Sequence, residues 1–251
     1  MKIIISPAKK MKQQFDIIEN TSTPIFQSKA EHLSAYIKSL CFDDLKSLFK
    51  ANDAITMQNF ERYQQMDFQS LQTPAILAYD GIQYKYMAPA VFEDGNFVYA
   101  QDKVRILSGL YGVLKPLDSV VQYRLEMQAK LEIDGNKNLY AFWGDSIYNA
   151  EFLSEEVIIN LASKEYSKSI SKYITKTQKW IDIIFGEVVD GKIIEKGVYV
   201  KMARGEMIRF MAEHNIQEET QMKKFNRLGY IFSSEHSTDN KYVFIKEKKN
   251  D

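Results

Sequence analysis

The chain has 251 residues, and its 33 Lys and Arg residues balance its 33 Asp and Glu residues, so the formal net charge is zero. This balance excludes a protein that coats nucleic acid through bulk charge, and any nucleic-acid site must be a local basic patch. The single cysteine excludes an intramolecular disulfide framework, and no apolar run approaches the roughly 18 residues of a membrane helix. We therefore expect a cytoplasmic protein without a membrane partner.

The apolar pattern predicts strands and helices along the whole chain. In chain order, we expect a buried strand at 2–5, helices within 27–50 and 53–66, a strand, turn and aromatic continuation over 74–88, a β-hairpin over 180–201, a helix over 202–214, and strands at 229–233 and 242–246. No Pro- or Ser-rich linker and no repeat divides these elements. The sequence therefore predicts a single compact α/β domain (mixed α+β) over residues 1–251, with a mixed sheet flanked by helices.

The segment 105–127, RILSGLYGVLKPLDSVVQYRLEM, is the most informative part of the chain. Apolar residues at helical spacing predict a helix that runs into Gly109, and both Gly109 and Gly112 can adopt positive φ. Pro116 disfavours the helical conformation of the residue before it. The pattern predicts a helix-hairpin-helix-like motif over about 104–120, whose exposed backbone N–H groups bind phosphate. The alternative is a glycine helix cap followed by an ordinary turn inside a core.

Nucleic-acid contacts are expected from this motif and from basic residues elsewhere in the chain. The candidates are Lys9, Lys10, Arg105, Ser108, Gly109, Tyr111, Gly112, Lys115, Arg124, Lys164, Lys168, Lys201 and Arg204. Two of these groups have a second interpretation. Arg124 can pin a phosphate, or it can pair with Glu126 or Asp145 inside the core. The lysines at 164, 168, 172, 176 and 179 form a basic stripe if one helix carries them, but such a stripe is also typical of a solvated helix face.

Several chemistries are excluded by the residues present. His32, His214 and His236 are too far apart for metal-ligand spacing, and one cysteine cannot build an iron–sulfur cluster. Walker, Rossmann and nucleophile-elbow patterns are absent, so we expect no cofactor and no metal. The alternative to nucleic-acid binding is an enzyme for a small phosphorylated or carboxylated substrate, with Ser6, Lys9, Arg124 and Asp145 as its binding and acid–base groups. A protein-interaction module is the third possibility.

Several ordered blocks resemble those of a known family. Besides SGLYGVLKPLD and YRLEM, they read MKIIISPAKK, LYAFWGDS, IINLASKEY and YVKMARGEMIRFM, and the resemblance spans residues 3 to about 246. In this order and over this length, the chain resembles the bacterial YaaA family, which is named for a role in peroxide stress. It departs from the family pattern at Ile82 and Tyr86, where an acidic residue and a glycine are expected. Any role that this acidic residue has in the family cannot be assigned to this chain.

The resemblance implies a function that the residues alone do not reveal. It implies a cytoplasmic protein with a compact α/β fold peculiar to the family. It further implies sequence-independent DNA binding through a basic cleft that includes the hairpin motif. In the cell, it implies protection against hydrogen peroxide by lowering the pool of unincorporated iron. We expect a monomeric DNA-binding protein rather than an enzyme.

Overall fold

The computed structural model describes residues 1–14, 21–70 and 73–247. Its helices and strands are, in chain order, β1 (Lys2–Ile5), β2 (Lys10–Met11), α1 (Gln27–Ser39), α2 (Phe42–Phe49), α3 (Asp53–Gln64), β3 (Thr73–Pro74), α4 (Ala75–Ala78), β4 (Tyr79–Asp80), α5 (Ile82–Met87), α6 (Asp94–Lys103), β5 (Val104–Ser108), β6 (Gly112–Leu114), β7 (Ser119–Val120), α7 (Leu139–Trp143), α8 (Ser146–Glu151), β8 (Val157–Leu161), α9 (Lys164–Ser171), β9 (Lys179–Val189), β10 (Lys192–Ile194), α10 (Gly197–Glu213), β11 (Tyr230–Phe232) and β12 (Lys241–Lys246). Within these residues, no helix has the length and apolar character needed to cross a bilayer.

One sheet of eight strands organises the fold. Its order is β11-β12-β9-β8-β1-β5-β6, and β10 pairs with β9 beside this path. The pairings from β12 to β5 are parallel, whereas β11, β6 and β10 each pair antiparallel with a neighbour. Ile3, Ile4 and Ile5 of β1 are fully buried, as expected for a central parallel strand covered on both faces. The predicted α/β class with a mixed sheet is confirmed.

The sheet contains a point at which the chain reverses its direction of travel across the strands. From β1 the chain proceeds to β5 on one side, and from β8 it proceeds to β9 on the other side. β1 and β8 are parallel neighbours, so their carboxyl ends lie at the same edge. In open α/β sheets, a crevice forms outside the strand ends at such a switch point, and ligands bind there.

The predicted helix that runs into Gly109 is wrong. Residues Val104–Ser108 form strand β5, which turns and pairs antiparallel with Gly112–Leu114 of β6. All five residues of β5 are buried, so the apolar pattern reflects burial on both faces of a sheet and not one face of a helix. The structure therefore has a β-hairpin where the sequence predicted a helix-hairpin-helix-like motif over 104–120.

Gly109 and Gly112 allow neighbouring segments to pack closely against this hairpin. Only Gly112 has the predicted positive φ, at 70°. A side chain at Gly112 would meet the Trp143 ring at 2.8 Å, and one at Gly109 would meet the Leu125 carbonyl oxygen at 2.4 Å. Trp143 Nε1 also donates a hydrogen bond of 3.0 Å to the Gly109 carbonyl. The two glycines let the hairpin pack tightly against neighbouring segments.

Most other predicted elements are confirmed, with one clear exception. The helices within 27–50 and 53–66, the hairpin with its turn at Asp190 and Gly191, and the last two strands are all present. Helix α10 begins at Gly197, earlier than predicted. The predicted strand in 74–88 is largely wrong, because α4 and α5 take up most of this segment. Tyr84 and Met87 are buried at helical spacing, since α5 packs against α10.

The tight packing at Gly112 predicts a large effect of a small change. We expect Gly112→Ala to lower the free energy of unfolding by about 2–4 kcal/mol, because it combines positive φ with overpacking against Trp143. Gly95→Ala is the matched control, since a side chain there meets nothing within 4 Å. Urea unfolding followed by circular dichroism measures both changes. A Gly112→Ala variant as stable as the control would contradict this account of the hairpin.

Candidate functional site

A cleft lies at the carboxyl ends of β1 and β8, at the switch point of the sheet. Its volume is about 490 Å³. Side chains and backbone from the loop after β1, the start of α5, the start of α9 and one side of α10 line it. These residues, which define the β1–β8 cleft, are Ser6, Pro7, Ala8, Lys9, Lys10, Asp80, Gly81, Ile82, Gln83, Tyr84, Glu126, Ser163, Glu165, Tyr166, Lys201 and Arg204.

Hydrogen bonds between the strand ends hold the base of the cleft together. The Ser163 amide donates to Ser6 Oγ at 2.9 Å, and the two hydroxyl oxygens lie 3.3 Å apart. The Tyr84 hydroxyl donates to the Ser6 carbonyl at 3.0 Å. These bonds join the loop after β1 to the starts of α5 and α9. Ser6, one of the residues proposed as binding and acid–base groups, links these segments through its hydroxyl and carbonyl groups in this structure.

A close helix contact forms another wall of the cleft. At Gly205, a side chain would lie 2.2 Å from the Gln83 carbonyl oxygen, so only glycine allows α10 and α5 to approach this closely. This contact brings Arg204 of α10 beside Gln83 of α5. Both residues line the cleft, and both are largely withdrawn from solvent. The glycine therefore positions two polar side chains.

The cleft contains charges of both signs. Its cations are Lys9, Lys10, Lys201 and Arg204, and its carboxylates are Asp80, Glu126 and Glu165. Glu126 Oε1 accepts from Lys9 Nζ at 3.0 Å and from Arg124 Nη2 at 2.9 Å. The side chains of Arg124 and Glu126 are each only 11% exposed. The three lysines are exposed, so positive charge faces solvent while Glu126 lies deeper.

Glu165 lies in a different environment from Glu126. Burial raises the pKa of Glu165, and repulsion from Glu126 adds to this increase. Hydrogen bonds from the backbone amides of Gln128 and Met127, together with the charge of Lys9, oppose the shift. The cleft thus holds one carboxylate with two cationic partners and one whose proton is bound more tightly than usual. Two carboxyl groups in unlike environments can divide acid and base roles.

Three polar atoms at the cleft are buried and lack a hydrogen-bond partner among the described residues. They are Gln83 Nε2, Glu126 Oε2 and Arg204 Nε. Gln83 and Glu126 are only 7% and 8% exposed. Burial also lowers the pKa of Arg204, against the opposing charges of Glu195 and Asp182. Buried polar groups are nearly always paired in folded proteins, so this concentration of unpaired atoms indicates a site for a ligand.

The hairpin residues that were predicted to contact nucleic acid lie in the protein interior. Arg105 is 3% exposed, and its Nε lies 2.5 Å from Glu151 Oε2. Ser108, Gly109, Tyr111 and Gly112 are also buried, and the Ser108 hydroxyl lies 2.6 Å from the Tyr123 hydroxyl. The expectation that this turn exposes N–H groups to phosphate is wrong, because the turn is enclosed by its packing partners.

Other predicted residues lie apart from the cleft or beside it. Lys115 is partly exposed, with its Nζ 3.9 Å from Glu151, and lines a separate depression with Arg105. Arg124 forms the Glu126 pair that was one of its predicted alternatives. Asp145 is exposed at the N-cap position of α8, outside the cleft lining, and makes no side-chain capping bond.

The five lysines of the predicted basic stripe do not lie on one helix. Helix α9 ends at Ser171, so it carries Lys164 and Lys168 and leaves Lys176 and Lys179 to later segments. Lys164 and Lys168 are exposed, and Lys164 lies between the cleft residues Ser163 and Glu165. Lys179 pairs with Glu219 at 2.8 Å. Only the first part of the stripe is near the cleft.

Polar residues that line the deeper part of the cleft were not predicted from the sequence. Neither Glu165 nor Gln83 was among the site residues proposed from the sequence. The sequence signal for Glu165 was the strand IINL followed by ASKEY. The carboxyl ends of parallel strands lie at the same edge of a sheet, and ligands bind at that edge. Among the residues in the described ranges, no three His, Cys, Asp or Glu side chains cluster in a way that could hold a metal ion.

The raised pKa of Glu165 predicts a specific pH dependence of stability. The folded state binds this proton more tightly than the unfolded state, whose value is near the usual 4.5. Stability therefore falls as pH rises from about 4.5 through the folded pKa. We expect Glu165→Gln, which keeps the acceptor for the Gln128 amide, to remove this loss. Urea unfolding from pH 4 to 8 tests it, with exposed Glu132→Gln as control. Parallel pH curves for wild type and Glu165→Gln would refute the assignment.

Comparisons with known proteins agree along the whole chain. A family model described as peroxide stress protein YaaA matches residues 1–236. The chain is 54% identical over 246 residues to a UPF0246 protein of Desulfitobacterium hafniense, covering 98% of each chain. It is 52% identical over 244 residues to one of Agathobacter rectalis, covering 97% of this chain and 98% of that protein. It is 44% identical over 248 residues to one of Pediococcus pentosaceus, covering 99% of each. The chain belongs to the peroxide stress protein YaaA family.

Proposed function

We propose that this protein acts in the peroxide stress response by binding DNA through its phosphates at the β1–β8 cleft. The observation that carries the proposal is the set of four cations at one cleft, Lys9, Lys10, Lys201 and Arg204, of which the three lysines are exposed. Lys164 adds an exposed charge beside it. In a chain with zero net charge, such a local patch is what phosphate binding requires.

The proposal assigns DNA binding to different residues from those of the hairpin. Arg105 is neutralised by Glu151, and the glycine turn is enclosed, so neither contributes a phosphate contact. Lysines on flexible side chains contact phosphate as point charges and do not read base sequence. Binding at the cleft rim is therefore sequence-independent and strongly dependent on salt.

The wider physiological proposal rests on the family alone. We propose, as the resemblance implies, that the protein acts in the cytoplasm and limits damage by lowering unincorporated iron; we propose separately that it is a monomer. No cluster of side chains in the described residues supplies a mechanism for the iron effect, so we assign it to no residue.

An enzyme for a small anionic substrate in the same cleft is the second candidate. One observation favours it: Glu165, with its raised pKa, lies near the ion-paired Glu126. Of the residues first proposed for this activity, Ser6 and Lys9 line the cleft, Arg124 holds Glu126, and Asp145 lies outside the lining. Glu165 replaces Asp145 as the acid–base group in this candidate.

Salt-dependent binding tests the DNA proposal. We expect a labelled duplex to bind in fluorescence anisotropy at 50 mM salt and to be released steeply towards 200 mM. Lys10→Ala and Lys201→Ala should each weaken binding and reduce the slope of log K against log salt by about 0.9, one phosphate contact. Lys38→Ala, an exposed lysine outside the cleft lining, should leave the slope unchanged. Absence of binding at 50 mM salt, or equal slopes for all four proteins, would contradict the proposal.

A further inference from the structure

The mixed charge of the β1–β8 cleft restricts what can occupy it. Cations alone would suit a run of phosphates, but Asp80, Glu126 and Glu165 line the same cavity and repel anions. An occupant that satisfies both the cations and the carboxylates has an anionic part and, at some distance from it, a part rich in hydrogen-bond donors. This requirement excludes a bare phosphate backbone from the deeper part of the cleft.

The unpaired atoms define what the deeper part recognises. Among the described residues, Gln83 Nε2 is a donor without an acceptor and Glu126 Oε2 is an acceptor without a donor, and the two residues are only 7% and 8% exposed. Both residues line the cleft wall. A planar group with neighbouring donor and acceptor atoms satisfies such a pair. In protein–DNA complexes, a Glu carboxylate accepts from the exocyclic amino group of cytosine, and a Gln amide N–H donates to the N7 acceptor of adenine.

The size of the cleft points to a single residue of nucleic acid. A volume of about 490 Å³ lies within the roughly 300–1,000 Å³ range of small-ligand sites. A B-DNA duplex is far too wide to enter, since its major groove alone is about 12 Å across. The rim can contact phosphates of an intact duplex, whereas the deeper part accepts only a group the size of one base or one nucleotide.

We infer that the β1–β8 cleft binds a single nucleotide whose base carries an exocyclic amino group. The amino group donates to Glu126, a base acceptor receives the Gln83 amide, and the phosphate lies against Lys10, Lys201 and Arg204. This inference deepens the proposed function and rests on it, because the same cations hold the phosphate. The nucleotide is either free or an unpaired residue of a DNA strand, extruded into the cleft.

Binding measurements with defined probes test the inference. The probes are dCMP, dAMP, dTMP, deoxycytidine and inorganic phosphate, measured by calorimetry at 100 mM salt. Two 20-base-pair duplexes, one fully paired and one with a single unpaired cytosine, are measured by anisotropy. The variants are Gln83→Leu, which removes the unpaired donor, and Glu126→Gln, which removes the charge. Gln69→Leu on an exposed turn is the matched control, and thermal melting confirms folding of each protein.

Two results support the inference and identify the source of the nucleotide. If it is free, dCMP and dAMP bind at least tenfold tighter than dTMP, deoxycytidine and phosphate, and both cleft variants lose about tenfold. If it belongs to DNA, the mononucleotides bind weakly, but the duplex with the unpaired cytosine binds at least tenfold tighter than the paired one. This preference disappears in Gln83→Leu and persists in Gln69→Leu.

Two other results overturn it in distinguishable ways. Equal, salt-dependent binding of both duplexes, with no base preference and no effect of Gln83→Leu or Glu126→Gln, refutes the single-nucleotide site and leaves the proposed function intact. Absence of binding by every duplex and every nucleotide refutes the inference together with the proposed function.

Discussion

The parallel pairing of β1 with β8 places Ser6 Oγ 2.9 Å from the Ser163 amide, and the cleft depends on this contact. Because Ile3, Ile4 and Ile5 are all fully buried, a one-residue shift of β1 would carry Lys2 or Ser6 into a buried apolar position. The loop after β1 and the start of α9 are therefore held at one edge of the sheet. Lys9 and Glu165 come from these two segments, which explains how residues far apart in the chain share a site.

Glu126 is the electrostatic centre of this site. Its Oε1 accepts from both Lys9 and Arg124, while its Oε2 has no partner in the described residues. Arg124 and Glu126 form a buried ion pair, and removing one partner of such a pair usually costs more than the pair contributes, whereas Lys9 joins them from the exposed side. Burial of Glu165 nearby raises the pKa of its carboxyl group, and the charge of Glu126 adds to this increase. A cleft built this way can hold an anion at its rim and a hydrogen-bond donor deeper in.

The main elements were predictable where one physical signal was clear. The strand Lys2–Ile5, the helices within 27–50 and the hairpin at Asp190 and Gly191 follow from apolar runs and turn residues. Residues 104–108 were misassigned, because a short apolar run buried on both faces has no periodicity that separates strand from helix. The positive φ of Gly112 was predicted and is confirmed. The sequence did not reveal that the Trp143 ring, 31 residues later in the chain, occupies the space that a side chain at this position would need.

The cleft itself was only partly predictable. Lys9, Lys10, Lys201 and Arg204 were proposed as anion contacts from their charge, and the fold brings all four together. The strand IINL before ASKEY was a signal for the position of Glu165, but the burial that raises its pKa was not visible in the sequence. Gln83 could not be found from local sequence, because its significance arises from burial and from neighbours on other elements. The close approach of α10 to α5 at Gly205 likewise depends on tertiary packing.

Mapping the DNA-binding surface tests the central claim most directly. In an amide NMR titration with a short duplex, the account predicts shifts for residues 6–10, 81–84, 163–166 and 201–204, which surround the β1–β8 cleft. It predicts unchanged signals for the enclosed turn at 108–112. Shifts centred on residues 105–115, with the cleft residues unaffected, would contradict the account and would place DNA binding at the hairpin.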